Sequence, residues 1–473
     1  MKILRRLGLV VVLSLGTFVT AESQDSSNSL TLTHVNVVDV RAGKIVRDQT
    51  VQISNGLIRS VAHGSKASAS GRIVDGQGRF LIPGLWDMHV HSALTPIWDE
   101  KAIYALYIAN GVTGIRDMGG DVDLLIQRRS RIERGEILGP HMVMAGPFLA
   151  GGKASNDTIP VKNAEDARQA VDTLVKRGVD FIKILTNLSR ESYFAVAEES
   201  AQQKITFVGH VPTAVSVAEA SNAGQRSIEH LTGVSLACSS QEEEIRQQML
   251  EASAKRDYSA SVTLGERVLH TYDAGKAQRL FEELRKNNTW QVPTLVWTKA
   301  DSSPDDPQIL HDDRLKYVPA KVKAGWDPKE TLQQTSAELL QLGKEQMQRN
   351  VELVRSMHAA GVPFLAGSDG PDPFVYPGFS LHDELEWLVK AGFTAAEALQ
   401  AATLRPAEFL GKVDRYGTIE PGRAADLVLL DGDPLADIRN TRKISHVIVG
   451  GTVYSRAELD RILGQVEELV RNQ

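Results

Sequence analysis

His89-Val90-His91 closes the apolar run Phe80-Leu81-Ile82-Pro83-Gly84-Leu85-Trp86-Asp87-Met88. Side chains at i and i+2 of a strand point to one face, so two imidazoles are presented together where the run ends. Four more donors stand in strand-like runs of their own. They are Lys183 in Phe181-Ile182-Lys183-Ile184-Leu185, His210 in Phe207-Val208-Gly209-His210, His230 in Ser227-Ile228-Glu229-His230, and Asp369 in Phe364-Leu365-Ala366-Gly367-Ser368-Asp369. Imidazoles and carboxylates suit divalent zinc and its neighbours. A thiolate cluster is excluded, because Cys238 is the single cysteine. Lys183 lies between Ile182 and Ile184, where loss of hydration lowers the pKa of an ammonium. A neutral amine adds carbon dioxide to give a carbamate, a carboxylate on a long arm able to bridge two metals. The alternative is a lysine paired with an acid or reaching out to solvent.

The middle of the chain alternates helix and strand as a parallel sheet requires. After the strand ending in the two histidines, residues 112–118, 142–145, 181–185, 205–210, 227–231, 291–296 and 363–366 read as strands two to eight. The spacing predicts a helix over 164–176, with Ala167, Ala170, Val171, Leu174 and Val175 on one face and Asn163 as its N-cap. Further helices are expected over 191–201, 216–223 and 350–360. The expected fold class is α/β, a (β/α)8 TIM-type barrel; a doubly wound open sheet is the runner-up, without a Gly-rich dinucleotide turn to support it. Active sites of such barrels lie at the C-terminal ends of the strands. His89, His91, Lys183, His210, His230 and Asp369 would then surround one cavity. Polar stretches at 239–289 and 299–346 interrupt the rhythm and read as insertions over the mouth, as lids or otherwise.

Residues 30–38, 45–53 and 57–62 alternate apolar with polar, with Ser54-Asn55-Gly56 as turn chemistry. Residues 425–430 and 446–454 look like strands of the same kind. Both chain ends are therefore expected to meet in a small β-sandwich formed by 30–82 and 414–473, around a barrel at 83–413, with a terminal helix over 456–470.

Among 473 residues, 42% are hydrophobic and 24% charged, as in ordinary globular proteins. A net charge of −6 without a Lys/Arg-rich run argues against nucleic acid as a partner. Lys2, Arg5 and Arg6 followed by apolar residues 7–19 and Val19-Thr20-Ala21 read as a secretory signal cut after residue 21, then a linker over 22–29. An uncleaved anchor is the alternative. The expected product is exported, periplasmic or secreted, without stable membrane insertion after cleavage. Its expected partner is a small-molecule substrate, and a homo-oligomer is left open.

The motifs Gly84-Leu85-Trp86-Asp87-Met88-His89-Val90-His91, Phe181-Ile182-Lys183-Ile184, Gly209-His210, Ser227-Ile228-Glu229-His230 and Gly367-Ser368-Asp369, with Gly417-Thr418-Ile419-Glu420-Pro421-Gly422-Arg423-Ala424-Ala425-Asp426 near the end, resemble the amidohydrolase superfamily. The closest likeness is to its binuclear, carboxylated-lysine members in the imidazolonepropionase-related group, with Xaa-Pro and Xaa-Arg dipeptidases and ochratoxin-type amidases. The resemblance implies two divalent metal ions, zinc first among them, and carbon dioxide held as a carbamate on Lys183. It implies that His89, His91 and Asp369 hold the more buried metal, His210 and His230 the more exposed one, and that Lys183 bridges them. It implies a hydroxide between the metals as nucleophile and Asp369 as general base then acid. The reaction would hydrolyse an amide, N-acyl amino acid or dipeptide-like C–N bond, or alternatively an ester, lactone or carbamate. One departure stands out: dipeptidase-like relatives often carry a His- and Gly-rich segment after strand three, and residues 145–152 contain no histidine.

Two other classes compete. A mononuclear deaminase uses His-x-x-Glu after strand five, whereas His210 is followed by Val211-Pro212-Thr213. A catalytically dead binding relative loses ligands, whereas all six are present. Arg116 is weighed as a bidentate clamp for a substrate carboxylate against an ion pair with Asp117 or a neighbour. Glu229 is expected to point away from His230, outward. His382 reads as a cap or supporting group of the helix after strand eight, and His141 as lying on the far face of strand three.

Overall fold

The computed structural model describes residues 29–64, 71–94, 98–326, 332 and 335–471. The expected signal segment lies outside them. Strands Ser29–Asp39, Lys44–Ser54 and Leu57–His63 form an antiparallel meander. Between the last two, Ser54 pairs with Leu57 across a two-residue loop in which Asn55 and Gly56 have φ of 53° and 70°. Both central residues of the favoured hairpin turn need positive φ, which Asn-Gly tolerates. Phe80–Pro83 runs parallel to the first strand and antiparallel to Leu427–Leu430, which continues through Ile444–Val449 to Thr452–Ser455. Both chain ends thus share one eight-stranded sheet, with Leu32, Val51, Ile53, Ile58, Leu427 and Leu429 buried in its core.

The middle of the chain is α/β with parallel strands. Leu85–Val90, Val112–Asp117 and His141–Met144 form a three-stranded sheet. Phe148–Ala150, Thr158–Pro160, Phe181–Ile184, Thr206–Gly209, Ser227–Glu229 and Trp290–Val292 form a six-stranded one. The Asp180 N–H donates to the Met144 carbonyl at 2.9 Å, joining the two at one side. At the other side, residues 363–369 lie between them. There Leu365 N donates to Gln291 O at 3.0 Å, Met88 N to Ala366 O at 2.9 Å and Asp369 N to His89 O at 2.7 Å. The expected eighth strand is thus present as a bonded segment rather than a regular strand.

Helices alternate with these strands. Ala164–Lys176 has the predicted bounds, because the Asn163 side chain accepts from Asp166 N at 2.9 Å and Ala167, Ala170, Val171 and Leu174 are buried. Burying a leucine side chain such as Leu174 stabilises by about 1.5–3 kcal/mol. Val217–Asn222 starts in a capping box of Ser216 and Glu219.

The seventh strand and the helix expected at 350–360 differ from the bounds read in the sequence, and the inserted stretch 239–289 has regular structure of its own. The seventh strand ends at Val292, not 296: Pro293 has no N–H to continue a ladder, Thr294 turns into the left-handed region with φ of 45°, and Leu295–Ser302 is a helix. The polar stretch 239–289 is regular, being largely three helices, Glu242–Lys255, Tyr258–His270 and Ala274–Lys286. Ile245, Ala252, Leu264 and Val268 bury against Leu236 in a small core of their own. The helix expected at 350–360 is longer, Ala337–Ala359. Among the described residues no helix is long and apolar enough to cross a membrane.

Candidate metal centre

His89 and His91 leave the end of Leu85–Val90 on the same side, as strand alternation requires. His89 is fully buried. Its Nδ1 lies 2.8 Å from Glu229 Oε2, and its Nε2 lies 3.2 Å from Asp369 Oδ1. His91 Nε2 is 3.1 Å from the same Asp369 oxygen. Asp369 sits at φ of 68°, so the chain turns sharply there and delivers its carboxylate between imidazoles. The other carboxylate oxygen is 3.7 Å from His230 Nδ1. Ring centroids of His89 and His230 are 4.6 Å apart, and those of His210 and His230 5.1 Å. Thr294 Oγ1 lies 2.7 Å from His230 Nδ1 and Thr186 Oγ1 lies 2.8 Å from His210 Nδ1. Lys183 is 1% exposed, and its charge acts on His89, His91, His210, His230 and Asp369. All six residues singled out as ligands therefore converge.

Electrostatics favour the ligating forms of His89, His210, His230 and Asp369, whereas at His91 burial is outweighed by the hydrogen bond and charge of Asp369, which raise that imidazole above its ordinary value. Burial, then the charge of Lys183 and of neighbouring imidazoles, holds His89 and His210 well below the usual histidine range. Burial lowers His230 to about 4, against the pull of Asp369. Burial opposes the ionisation of Asp369, but His230, His91 and Lys183 outweigh it and hold that carboxyl below its ordinary value. Burial brings Lys183 down to about 8, although Glu229 and Asp369 draw it upward. Neutral imidazoles and an ionised carboxylate are the forms that ligate metal. Donor atoms of His89, His230 and Asp369 lie within 4.8 Å of one another, close enough for one ion.

His89 supplies the test of fit. Its Nδ1 faces Glu229, so the proton is expected there and the lone pair on Nε2. Among the described residues that buried Nε2 has no hydrogen-bond partner. An imidazole whose far nitrogen is anchored by a carboxylate while its near nitrogen stands unbonded beside another carboxylate is the arrangement of a metal ligand.

Behind the cluster, the outward reading of Glu229 and the clamp reading of Arg116 give way, while the ion-pair reading of Arg116 holds with Glu229 as its partner. Glu229 is not outward: it is fully buried and supports His89. The strand ends at Glu229, and His230 adopts φ of 57°, so strict alternation no longer separates the two side chains. Arg116 is not positioned to clamp a substrate, being itself fully buried. Its Nη2 donates to both Glu229 oxygens at 3.0 Å, Nη1 to Ser227 Oγ at 3.1 Å and Nε to the Met88 carbonyl at 2.6 Å. Asp117 is not its partner but accepts from Ser92 N at 2.8 Å and Ser92 Oγ at 2.6 Å, fixing the chain just after His91. His382 is a tie between elements, with Nδ1 2.9 Å from Thr441 Oγ1 and Nε2 3.0 Å from the Asn110 carbonyl. His141 lies 2.9 Å from Asp426.

Asp87 was not singled out from sequence, although an acid inside an apolar run is itself a signal. It accepts from Ser368 N at 2.9 Å, Ser368 Oγ at 2.6 Å and His89 N at 3.2 Å. One carboxyl thus links the backbone of His89 to the residue before Asp369, and burial pushes it up to about 7.

Residues 80–454 match the model of the amidohydrolase family. The ochratoxinase of Aspergillus niger is 22% identical over 437 residues, covering 79% of this chain and 75% of that one. A candidate prolidase from Bifidobacterium longum superposes with a TM-score of 0.66 at 25% identity, covering 93% of this chain and 99% of that one. The bottromycin amidohydrolase superposes with a TM-score of 0.74 at 20% identity, covering 93% and 90%. The chain belongs to the amidohydrolase family and is a hydrolase acting on C–N bonds.

Proposed function

We propose that this chain is a binuclear metal-dependent amidohydrolase that cleaves an amide bond in N-acyl amino acid or dipeptide-like substrates. The observation that carries the proposal is His89, with Nδ1 anchored on Glu229 and an unbonded Nε2 facing Asp369. His89, His91 and Asp369 would hold one cation, His210 and His230 the other, and Lys183, as its carbamate, would bridge them. A lysine lowered to about 8 has a neutral fraction near neutral pH that an ordinary lysine lacks, and only the neutral amine adds carbon dioxide. The chemistry that divalent cations held by these residues would supply is polarisation of a carbonyl and a lowered pKa of water. Asp369, held ionised by its neighbours, accepts the proton of the attacking water and returns it to the departing amine nitrogen. Asp87 and Glu229 hold two of the ligating segments in place.

The same proposal includes a closed (β/α)8 barrel at 83–413 flanked by a β-sandwich from 30–82 and 414–473. The backbone bonds from Met144 to Asp180, and from Gln291 through Leu365 and Ala366 to Met88, support it.

The test is turnover of a panel of N-acyl amino acids and dipeptides by zinc-loaded enzyme in bicarbonate. Asp369→Asn should keep its fold while kcat falls about 10²–10⁴-fold, the usual worth of a positioned acid–base group; an unchanged kcat removes Asp369 from proton transfer. Export is part of the proposal and is read by N-terminal sequencing of the mature chain. A start near residue 22 supports it, and a retained Met1 contradicts it.

A further inference from the structure

An aromatic ring stands beside each of two imidazoles that flank Asp369. Phe148, nearly buried, lies with its ring centroid 5.7 Å from that of His91, edge to face. Trp297, half-buried, lies 5.2 Å from His230 at an interplanar angle of 50°. Trp297 is in the first turn of Leu295–Ser302. Two bonds fix the start of that helix: Thr294 Oγ1 to His230, and Val296 N to Glu384 Oε2 at 2.8 Å. The indole is fixed as well, because its Nε1 donates to Asp372 Oδ2 at 2.5 Å. Asp372 lies on the loop that leaves Asp369, so this bond joins the turn after Trp290–Val292 to the turn after residues 363–369. With its only donor committed, the indole offers a neighbour flat apolar surface and nothing else.

We propose that Trp297, latched by Asp372, is a specificity-determining wall of the site, selecting substrates with a planar aromatic group next to the scissile amide. This rests on the amide-hydrolase reading. Aromatic pairs gain about 0.5–1.5 kcal/mol beyond burial, whereas a saturated ring of equal size gains burial alone. The expected discrimination is therefore about two- to tenfold in kcat/KM.

The experiment uses zinc-loaded full chain in bicarbonate with two matched pairs: benzoyl-glycine against cyclohexanecarbonyl-glycine, and N-acetylphenylalanine against N-acetylcyclohexylalanine. Wild type should prefer the aromatic member of at least one pair. Trp297→Leu should bring that ratio close to one with metal content retained, because turnover of the aromatic substrate falls further than that of the saturated one. Trp297→Phe should keep part of the preference. Asp372→Asn retains an acceptor and should keep it, while Asp372→Ala should lower it. A ratio near one in wild type for both pairs overturns the proposal. So does an unchanged ratio in Trp297→Leu, and so does loss of metal and of all turnover alike, which would make Trp297 a support for His230. If wild type cleaves none of the four, the amide-hydrolase reading fails first. Calorimetric binding of benzoate against cyclohexanecarboxylate then decides the wall alone: a benzoate preference lost in Trp297→Leu sustains it, and equal binding overturns it.

Discussion

Lys183→Ala is expected to lose one bound cation and about three orders of magnitude in turnover, about 4 kcal/mol at 1.36 kcal/mol per tenfold. The reason lies in the anion count around the imidazoles. Asp369 is one carboxylate within reach of His89, His91 and His230. The other nearby acids are committed elsewhere, Glu229 to Arg116 and His89 Nδ1, Asp87 to Ser368 and the His89 backbone, and Asp117 to Ser92. Two divalent charges beside a single free carboxylate repel one another without an anion between them, and the carbamate of Lys183 is the group placed to supply it. The cavity left by the truncated side chain should accept a short carboxylate, so propionate should restore part of both metal content and rate. Metal analysis after desalting, with and without propionate, checks this. A variant that keeps two cations and wild-type turnover removes the bridge from the mechanism.

Glu229→Gln has the second-largest expected effect, because two functions meet in one buried carboxylate. Removing its charge leaves the Arg116 guanidinium buried and unpaired, a loss of about 3–5 kcal/mol for a broken buried pair. It also removes the anion that orients His89, and the loss of such a support lowers metal affinity about 10–100-fold. The two effects separate in the Arg116→Met, Glu229→Gln double variant. Stability to urea should largely return, since no unpaired charge is left, whereas metal affinity measured by chelator competition should stay low. If affinity returns together with stability, Glu229 acts on the fold alone and not on His89.

What could be read before the structure follows from how local the physics is. The helix Ala164–Lys176 is legible because its cap and its apolar spacing lie within its own residues. The candidate ligands are legible because imidazole, lysine and carboxylate at the ends of several strands are uncommon, and parallel strands bring such ends together. Glu229 was misread because alternation assumes an extended chain, and the positive φ of His230 depends on its tertiary setting. For Arg116 the ion pair weighed against a substrate clamp is the one present, but its partner could not be named for a related reason. Its partners Glu229, Ser227 and Met88 come from two other strands, so no local pattern reveals that the guanidinium is fully engaged. Asp87 and Thr294 act through partners far away in the chain, Ser368 and His230. The helices within 239–289 escape a polarity-based reading because most of their surface faces solvent, and only a few side chains such as Ile245 and Val268 pack inward.

The most direct measurement is ¹³C NMR of the active, fully metallated chain prepared in ¹³C-bicarbonate. A single carbamate resonance is expected in the wild type, absent from Lys183→Ala and lost when the metal is removed at acidic pH. An enzyme carrying about two cations and hydrolysing amides at full rate with Lys183 as an unmodified amine would contradict the proposed bridge.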